Sequence, residues 1–210
     1  LYGATKLASD KLFVAANNMV GDKRTRFAVV RYGNVVGSRG SVIPFFNKLV
    51  SEGATEIPIT HEKMTRFMIT LRQGVEFVLK NFSRMHGGEI FVPKIPSMKI
   101  TDLAQAIAPD CKREIVGIRP GEKIHESMIG EDEGQNTIEY KDCYVLLSQL
   151  YPGKASFHID NGKACPEGFS YTSGENPQTI SVETLRDIIE QIEDDYSIEK
   201  TRWSMDDVPR

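Results

Sequence analysis

A short apolar run, Phe27-Ala28-Val29-Val30-Arg31-Tyr32, does most to limit what this chain can become. It is β-branched and nearly continuous, so it reads as a strand covered on both faces, the signature of a parallel sheet. Before it, residues 1–19 are Ala-rich with a loose 3.6-residue apolar period and end at Gly21, where a helix stops. After it, Gly33, Gly37 and Gly40 open a loop before a second helical segment, Val42 to Val50, which tolerates Pro44 near its start. Parallel strands need crossover connections, so this alternation predicts an α/β fold.

Further elements follow the same logic. Pro58-Ile59 is extended. Thr70 is placed to cap a helix over 71–82 with Val75, Val78 and Leu79 on its apolar face. Glu89 to Val92 and Glu114 to Ile118 read as strands, and Thr101 as the cap of a helix ending before Pro109. His125 to Met128 reads as a short helical turn, and Thr137 to Leu147 as one or two strands. Tyr151 to Asn176 shows no period. Ser181 caps an amphipathic helix with Leu185, Ile188, Ile189 and Ile192 on one face, before a charged tail.

Charge and cysteine usage exclude several classes. The formal net charge is −3, with no clustered basic footprint for nucleic acid. Apolar residues make up 40 %, enough for a core, but no apolar run approaches the ~18–20 residues of a membrane span. Cys111, Cys143 and Cys165 are odd in number and widely spaced, which predicts free thiols in a reducing cytosol. His61, His86, His125 and His158 are scattered, so no metal site is expected. Met64 and Met68 read as core.

Two groups of residues carry chemistry. Tyr2 and Lys6 stand four apart on the first helix, on one face. An ammonium beside a phenol favours the phenolate, which brings a group of ordinary pKa ~10 toward use as an acid or base near neutrality. On spacing alone the pair reads more readily as a helix-surface contact. Ser38, Arg39, Gly40 and Ser41 form a small polar loop running into the helix at Val42, where free N–H groups and the helix dipole favour an anion. Arg39 adds a phosphate donor. Arg119 and Glu122 flank the tight turn Pro120-Gly121; they suit a second phosphate and a ribose or base donor, or else form a surface ion pair. Arg66 carries the same two readings.

The ordered series Tyr2-Gly3-Ala4-Thr5-Lys6, Arg31-Tyr32-Gly33-Asn34-Val35-Val36-Gly37, Gly37 through Phe46, Met64-Thr65-Arg66-Phe67, Gly88 through Lys94 and Ile118 through Glu126 resembles the extended short-chain dehydrogenase/reductase family. Within it, the series is similar to the inverting UDP-N-acetylglucosamine 4,6-dehydratases of surface-sugar (pseudaminic acid-type) biosynthesis. The resemblance runs to about Met128. Met68 and Thr60 depart from it, standing where the family often has tryptophan and aspartate.

The resemblance implies a bound NADP and three stages. Hydride leaves sugar C4 with the tyrosine as base, water leaves from C6 after C5 is deprotonated, and hydride returns to C6 with inversion at C5. It implies Tyr2 and Lys6 as catalytic and cofactor-binding, Val35 beside the nicotinamide, and Asn34, Ser38, Arg39, Gly40, Ser41, Val42, Arg66, Arg119 and Glu122 around a UDP-sugar. The fold expected is the C-terminal part of a Rossmann-like parallel sheet plus a smaller α/β substrate-binding region. Residues 1–42 would end the dinucleotide-binding domain, 43–195 would form mainly the sugar-nucleotide region with some elements returning to the main sheet, and 196–210 a tail. The Gly-rich dinucleotide loop and an Asp-Lys pair would precede Leu1, so these 210 residues alone are expected to be inactive. A homo-oligomer is expected through the tyrosine-bearing helix, with Leu7, Leu12 and Val14 at the contact. A UDP-sugar 4-epimerase, a C5-epimerising homologue and a non-catalytic sugar-nucleotide-binding or oligomer-forming piece are the alternatives.

Overall fold

The computed structural model describes residues 2–21, 23–38, 40–149 and 152–191. Helix α1 (Tyr2–Ala15) runs into a 3-10 turn (Ala16–Met19), and the chain reverses at Gly21, whose φ of 54° suits glycine. Buried Asn17 clamps this reversal: its amide donates to the Phe27 carbonyl (2.9 Å) and its carbonyl oxygen accepts from the Phe27 N–H (3.1 Å). Strand β1 (Val29–Val30) follows and pairs in parallel with β5 (Ile90–Pro93), as the opening run predicts, although only two of its residues join the ladder.

The α/β architecture is as expected, but the main sheet is mixed. Its order is β1-β5-β10-β9-β11, with β10 (Cys143–Leu146), β9 (Thr137–Glu139) and β11 (Lys163–Ala164) all antiparallel to their neighbours. Thr137 to Leu147 is therefore a hairpin of two strands. A second, smaller sheet places β4 (Thr65–Ile69) between parallel β2 (Asn34–Val35) and antiparallel β6 (Ser97–Lys99). Two strand pairs complete the set: β3 (Glu56–Ile59) parallel to β7 (Lys112–Ile115), and β8 (Ser127–Ile129) antiparallel to β12 (Tyr171–Thr172).

Helices follow local signals where those are strong. In α3 (Leu71–Phe82) the Thr70 hydroxyl accepts from the Gln73 N–H (3.2 Å), and the Gln73 side chain accepts from the Thr70 N–H (2.9 Å), a full capping box. The Ser181 hydroxyl likewise accepts from the Thr184 N–H (3.2 Å) at the start of the helix over 182–191, whose Leu185 and Ile189 are buried. Its expected Ile192, and the tail, lie outside the described residues.

Several expectations are corrected. The helix expected from Thr101 is α4 (Ile100–Ile107); its N-cap is Lys99, two residues earlier, and Thr101 bonds to Asp102 (3.4 Å) instead of capping it. His125 to Met128 is not a helical turn: Ser127–Ile129 is strand β8, because β12 offers it a partner far along the chain. The strand expected over 114–118 is shifted to Lys112–Ile115, where β3 pairs with it. The aperiodic stretch from Tyr151 holds α6 (Pro152–Asn161) as well as β11 and β12. On α3 the expected buried face is turned outward: Val75 and Leu79 are 49 % and 63 % exposed, while Gly74, Phe77 and Asn81 are buried.

One core cluster lies between α2 (Val42–Ser51), α4, β3 and the helix over 182–191, and includes Phe46, Ile57, Leu103, Leu185, Met64 and Met68, the last two as expected. Another joins Phe67, Ile69, Val92, Ile129 and Tyr171, with Val14 of α1 and Val35 of β2 packed on its margin. No helix among the described residues is long and apolar enough to cross a membrane.

Candidate functional site

The site is built around β4. Gly33 lets β2 lie against it, because a Cβ at Gly33 would collide with the side chain and backbone of fully buried Phe67. Register then sets Asn34 opposite Met68 and Val35 opposite Ile69, and the Val36 N–H donates to the Ile69 carbonyl (2.9 Å). Asn34 is exposed, whereas Val35 is half-buried against the core.

The chain next turns through Gly37 and Gly40, both at positive φ (72° and 74°), into α2. The Ser38 N–H donates to the Val35 carbonyl (3.3 Å) and the Ser41 N–H to the Ser38 carbonyl (3.0 Å). Ser41 occupies the N-cap of α2 but makes no side-chain cap bond, and its buried hydroxyl has no hydrogen-bond partner. No acidic side chain stands in the first turn of α2. Ser38, Gly40, Ser41 and Val42 thus form a loop at a helix N-terminus that no carboxylate of that turn neutralises, a setting that favours an anion. Arg39, expected in the same loop, lies outside the described residues.

On β4, Arg66 and Met68 share a strand face, so Arg66 lies one pleat from the level of Asn34. Its guanidinium donates to the carbonyls of Thr65 (2.7 Å), Ile124 (3.1 Å) and Lys123 (3.0 Å), and lies 3.9 Å from Glu122 and 3.7 Å from Glu126. Arg66 therefore anchors the 122–126 segment beside β4. Glu122 also accepts from the backbone N–H of Arg119 (3.2 Å), across the turn at Gly121 (φ 80°), and leaves the Arg119 side chain exposed. Of the two readings for these residues, the ion pair is present between Arg66 and Glu122, while Arg119 remains at the surface.

Sequence reasoning missed the polar network behind this turn. The Thr65 hydroxyl bonds to Nδ1 of His125 (2.8 Å) and to the Ser173 hydroxyl (2.7 Å), and the Ser173 oxygen accepts from the Glu126 N–H (2.9 Å). His125 is exposed, with Nδ1 held by this bond to Thr65. Glu126 accepts from the Phe67 N–H (3.1 Å); burial holds its carboxyl above the usual range, outweighing that bond and the charge of Arg66.

Lys6 is exposed on α1, four residues from Tyr2; the side chain of Tyr2 lies outside the described residues. Leu7 and Leu12, expected at an oligomer contact, are exposed, whereas Val14 packs on the core. Among the described residues no group of three or more His, Cys, Asp or Glu side chains is placed to hold a metal ion.

Residues 1–148 match the family described as Polysaccharide biosynthesis protein. The chain belongs to that family. It is homologous to the inverting UDP-N-acetylglucosamine 4,6-dehydratases. The protein of that name from Campylobacter jejuni subsp. jejuni serotype O:23/36 is 57 % identical over 199 residues, 92 % of this chain and 60 % of that protein. A second, from serotype O:2, is 58 % identical over the same length. A UDP-glucose 4-epimerase of Rickettsia massiliae is 34 % identical over 192 residues, 89 % of this chain and 56 % of that protein. Among solved structures, the family member resembles Pen from Bacillus thuringiensis, with a TM-score of 0.75 and 34 % identity over 90 % of this chain and 57 % of that one. The chain spans about 60 % of the length of the dehydratases it matches.

Proposed function

We propose that this chain is the substrate-side portion of an enzyme that dehydrates UDP-N-acetylglucosamine to a UDP-4-keto-6-deoxy sugar with inversion at C5. The observation that carries the reading is the α2 N-terminus: a loop from Ser38 to Val42 with an unpartnered buried Ser41 hydroxyl, beside exposed Asn34 and within one strand of the Arg66–Glu122 turn. The 57–58 % identity to the inverting dehydratases supports the choice of reaction over the more distant 4-epimerases. On this reading residues 1–42 end a dinucleotide-binding part and 43–195 mainly bind the sugar nucleotide. The protein acts in surface-glycan biosynthesis in the cytoplasm, as a homo-oligomer.

In this assignment the Ser38–Val42 loop and Arg39 take one phosphate of UDP, Arg119 the other, and Glu122 accepts from the ribose or uracil. Asn34 faces the sugar. Arg66 holds the 122–126 segment in place and thereby aims Glu122 and Arg119. The cofactor proposed is NADP, whose chemistry, when bound, is to accept and return hydride. Exposed Lys6 offers ammonium donors that fit ribose hydroxyls, and half-buried Val35 an apolar surface that fits a planar ring. Tyr2 takes the proton from the sugar C4 hydroxyl as that carbon is oxidised, and Lys6 favours the phenolate needed for this. Calorimetric titration of UDP into the full-length protein tests the binding assignment. Arg119→Ala and Arg39→Ala should each weaken UDP binding about 10-fold or more, given roughly 1.5–3 kcal/mol for a charged hydrogen bond; unchanged affinity in both refutes the placement.

A further inference from the structure

We propose that Arg31 is a positioning residue for the Tyr2–Lys6 pair, acting through Asp10 to set the roll of helix α1; the inference rests on the reading of those two residues given above. Arg31 directly follows β1, and its side chain, 19 % exposed, reaches three other elements. Nε donates to Asp10 Oδ2 on α1 (3.0 Å), and Nη2 lies 2.9 Å from the same oxygen. Nη1 donates to the Met128 carbonyl on β8 (2.6 Å) and to Glu133 Oε2 on α5 (Glu131–Gly134; 2.8 Å), and Nη2 donates to Glu133 Oε1 (3.2 Å). One side chain thus ties the helix carrying the pair to the strand that leads into Asn34 and to two elements about a hundred residues further on.

Two observations give this clamp its weight. First, apolar packing holds α1 weakly among the described residues: Leu7, Leu12 and Phe13 are exposed, and only Val14 joins a core cluster. Val14 and the Phe13–Phe27 ring pair (centroids 6.3 Å apart) hold the end of α1, and the Arg31 contact adds a polar hold on the rotation of the helix at Asp10. Second, Asp10 stands four residues after Lys6 and eight after Tyr2, on the face those positions share. A roll of about 10° moves an atom ~6 Å from a helix axis by about 1 Å. A misplacement of that size costs up to about 100-fold in rate.

Burial alone would lower the Arg31 pKa, but Glu133 and Asp10 together raise it. Glu133 also faces Lys11 of α1 at 3.6 Å, so the charged groups that meet at this junction include Asp10, Lys11, Glu133 and Arg31. A lysine at position 31 lacks the fork that serves three partners at once.

The test uses the full-length protein with UDP-N-acetylglucosamine and compares Asp10→Asn, which keeps the shape and removes the charge on α1, with Arg31→Lys. Both should lower kcat about 10–100-fold with KM for the sugar nucleotide changed less than about 3-fold, the pattern of an interaction felt in the transition state. The acidic limb of the kcat–pH profile should move to higher pH, because a displaced Lys6 favours the phenolate less. Asp10→Asn with the parental kcat and acidic limb overturns the inference, as does a loss confined to KM. If the parent shows no turnover, the dehydratase reading fails instead. The clamp is then read by ultraviolet titration of tyrosine, with Tyr2 isolated by difference from Tyr2→Phe: a higher Tyr2 pKa in Asp10→Asn supports it and an unchanged one overturns it.

Discussion

Replacing Gly33 with alanine tests the contact on which the site is built. The backbone of Gly33 is not in the left-handed region, so alanine brings no conformational strain of its own. The added Cβ is the whole perturbation. It would overlap the Phe67 side chain and stand 2.9 Å and 3.0 Å from the Phe67 carbonyl oxygen and carbon. Phe67 has nowhere to go: it is fully buried, its N–H is held by Glu126 (3.1 Å), and its ring lies 4.7 Å from that of Tyr171. Strand β2 must therefore back away by about 1 Å. Overpacking of this kind costs about 1–3 kcal/mol, and each weakened ladder hydrogen bond adds about 0.5–1.5 kcal/mol, for a total of about 2–4 kcal/mol. At roughly 2–4 °C per kcal/mol for a chain of this size, Tm should fall by about 4–16 °C. Thermal denaturation followed by circular dichroism reads this directly. A Tm within a degree of the parent would mean that β2 does not approach β4 as described, and the placement of Asn34 and Val35 would fall with it.

Other substitutions have equally definite signs. Gly74→Ala, in the interior of α3 with open space where a Cβ would go, should stabilise by about 0.5–1 kcal/mol, and a lower urea midpoint would contradict that. Leu185→Ala empties a fully buried position in the core cluster under α4 and should cost about 2–5 kcal/mol, measured by urea unfolding; a loss below about 1 kcal/mol would place that helix elsewhere. Burial alone would raise the Glu133 carboxyl, but Arg31 holds it below the usual range, so its contribution is present above the unfolded pKa of ~4.3 and is lost as pH falls through the lower folded value. Glu133→Gln should therefore flatten the fall of Tm between about pH 4 and 2, leaving the part owed to Glu89 and Asp142, which are shifted the same way; an unchanged slope would count against the ion pair.

What was legible in the sequence was local. The Thr70 capping box, the Ser181 cap and the Val29–Val30 strand each depend on residues a few positions apart, and each stands where expected. The errors came from distance. Ser127–Ile129 is a strand only because β12 reaches it from more than forty residues away. Helix α6 carries little apolar period because one of its anchors is polar: buried His158 bonds to the Tyr140 hydroxyl (3.0 Å) and faces Glu89 at 3.5 Å. Periodicity found the apolar stripe on α3 but could not say which face has a partner within these residues. The site divides the same way. The Ser38–Val42 loop was readable as a run, whereas the role of Arg31 depends on partners 21, 97 and 102 positions away.

The product decides which reaction the enzyme performs. Nuclear magnetic resonance of the full-length protein incubated with UDP-N-acetylglucosamine should show a C6 methyl group, a C4 ketone and inverted configuration at C5. A product that keeps its C6 hydroxymethyl group and is epimerised at C4, or a 4-keto-6-deoxy sugar with C5 retained, would contradict inverting dehydration.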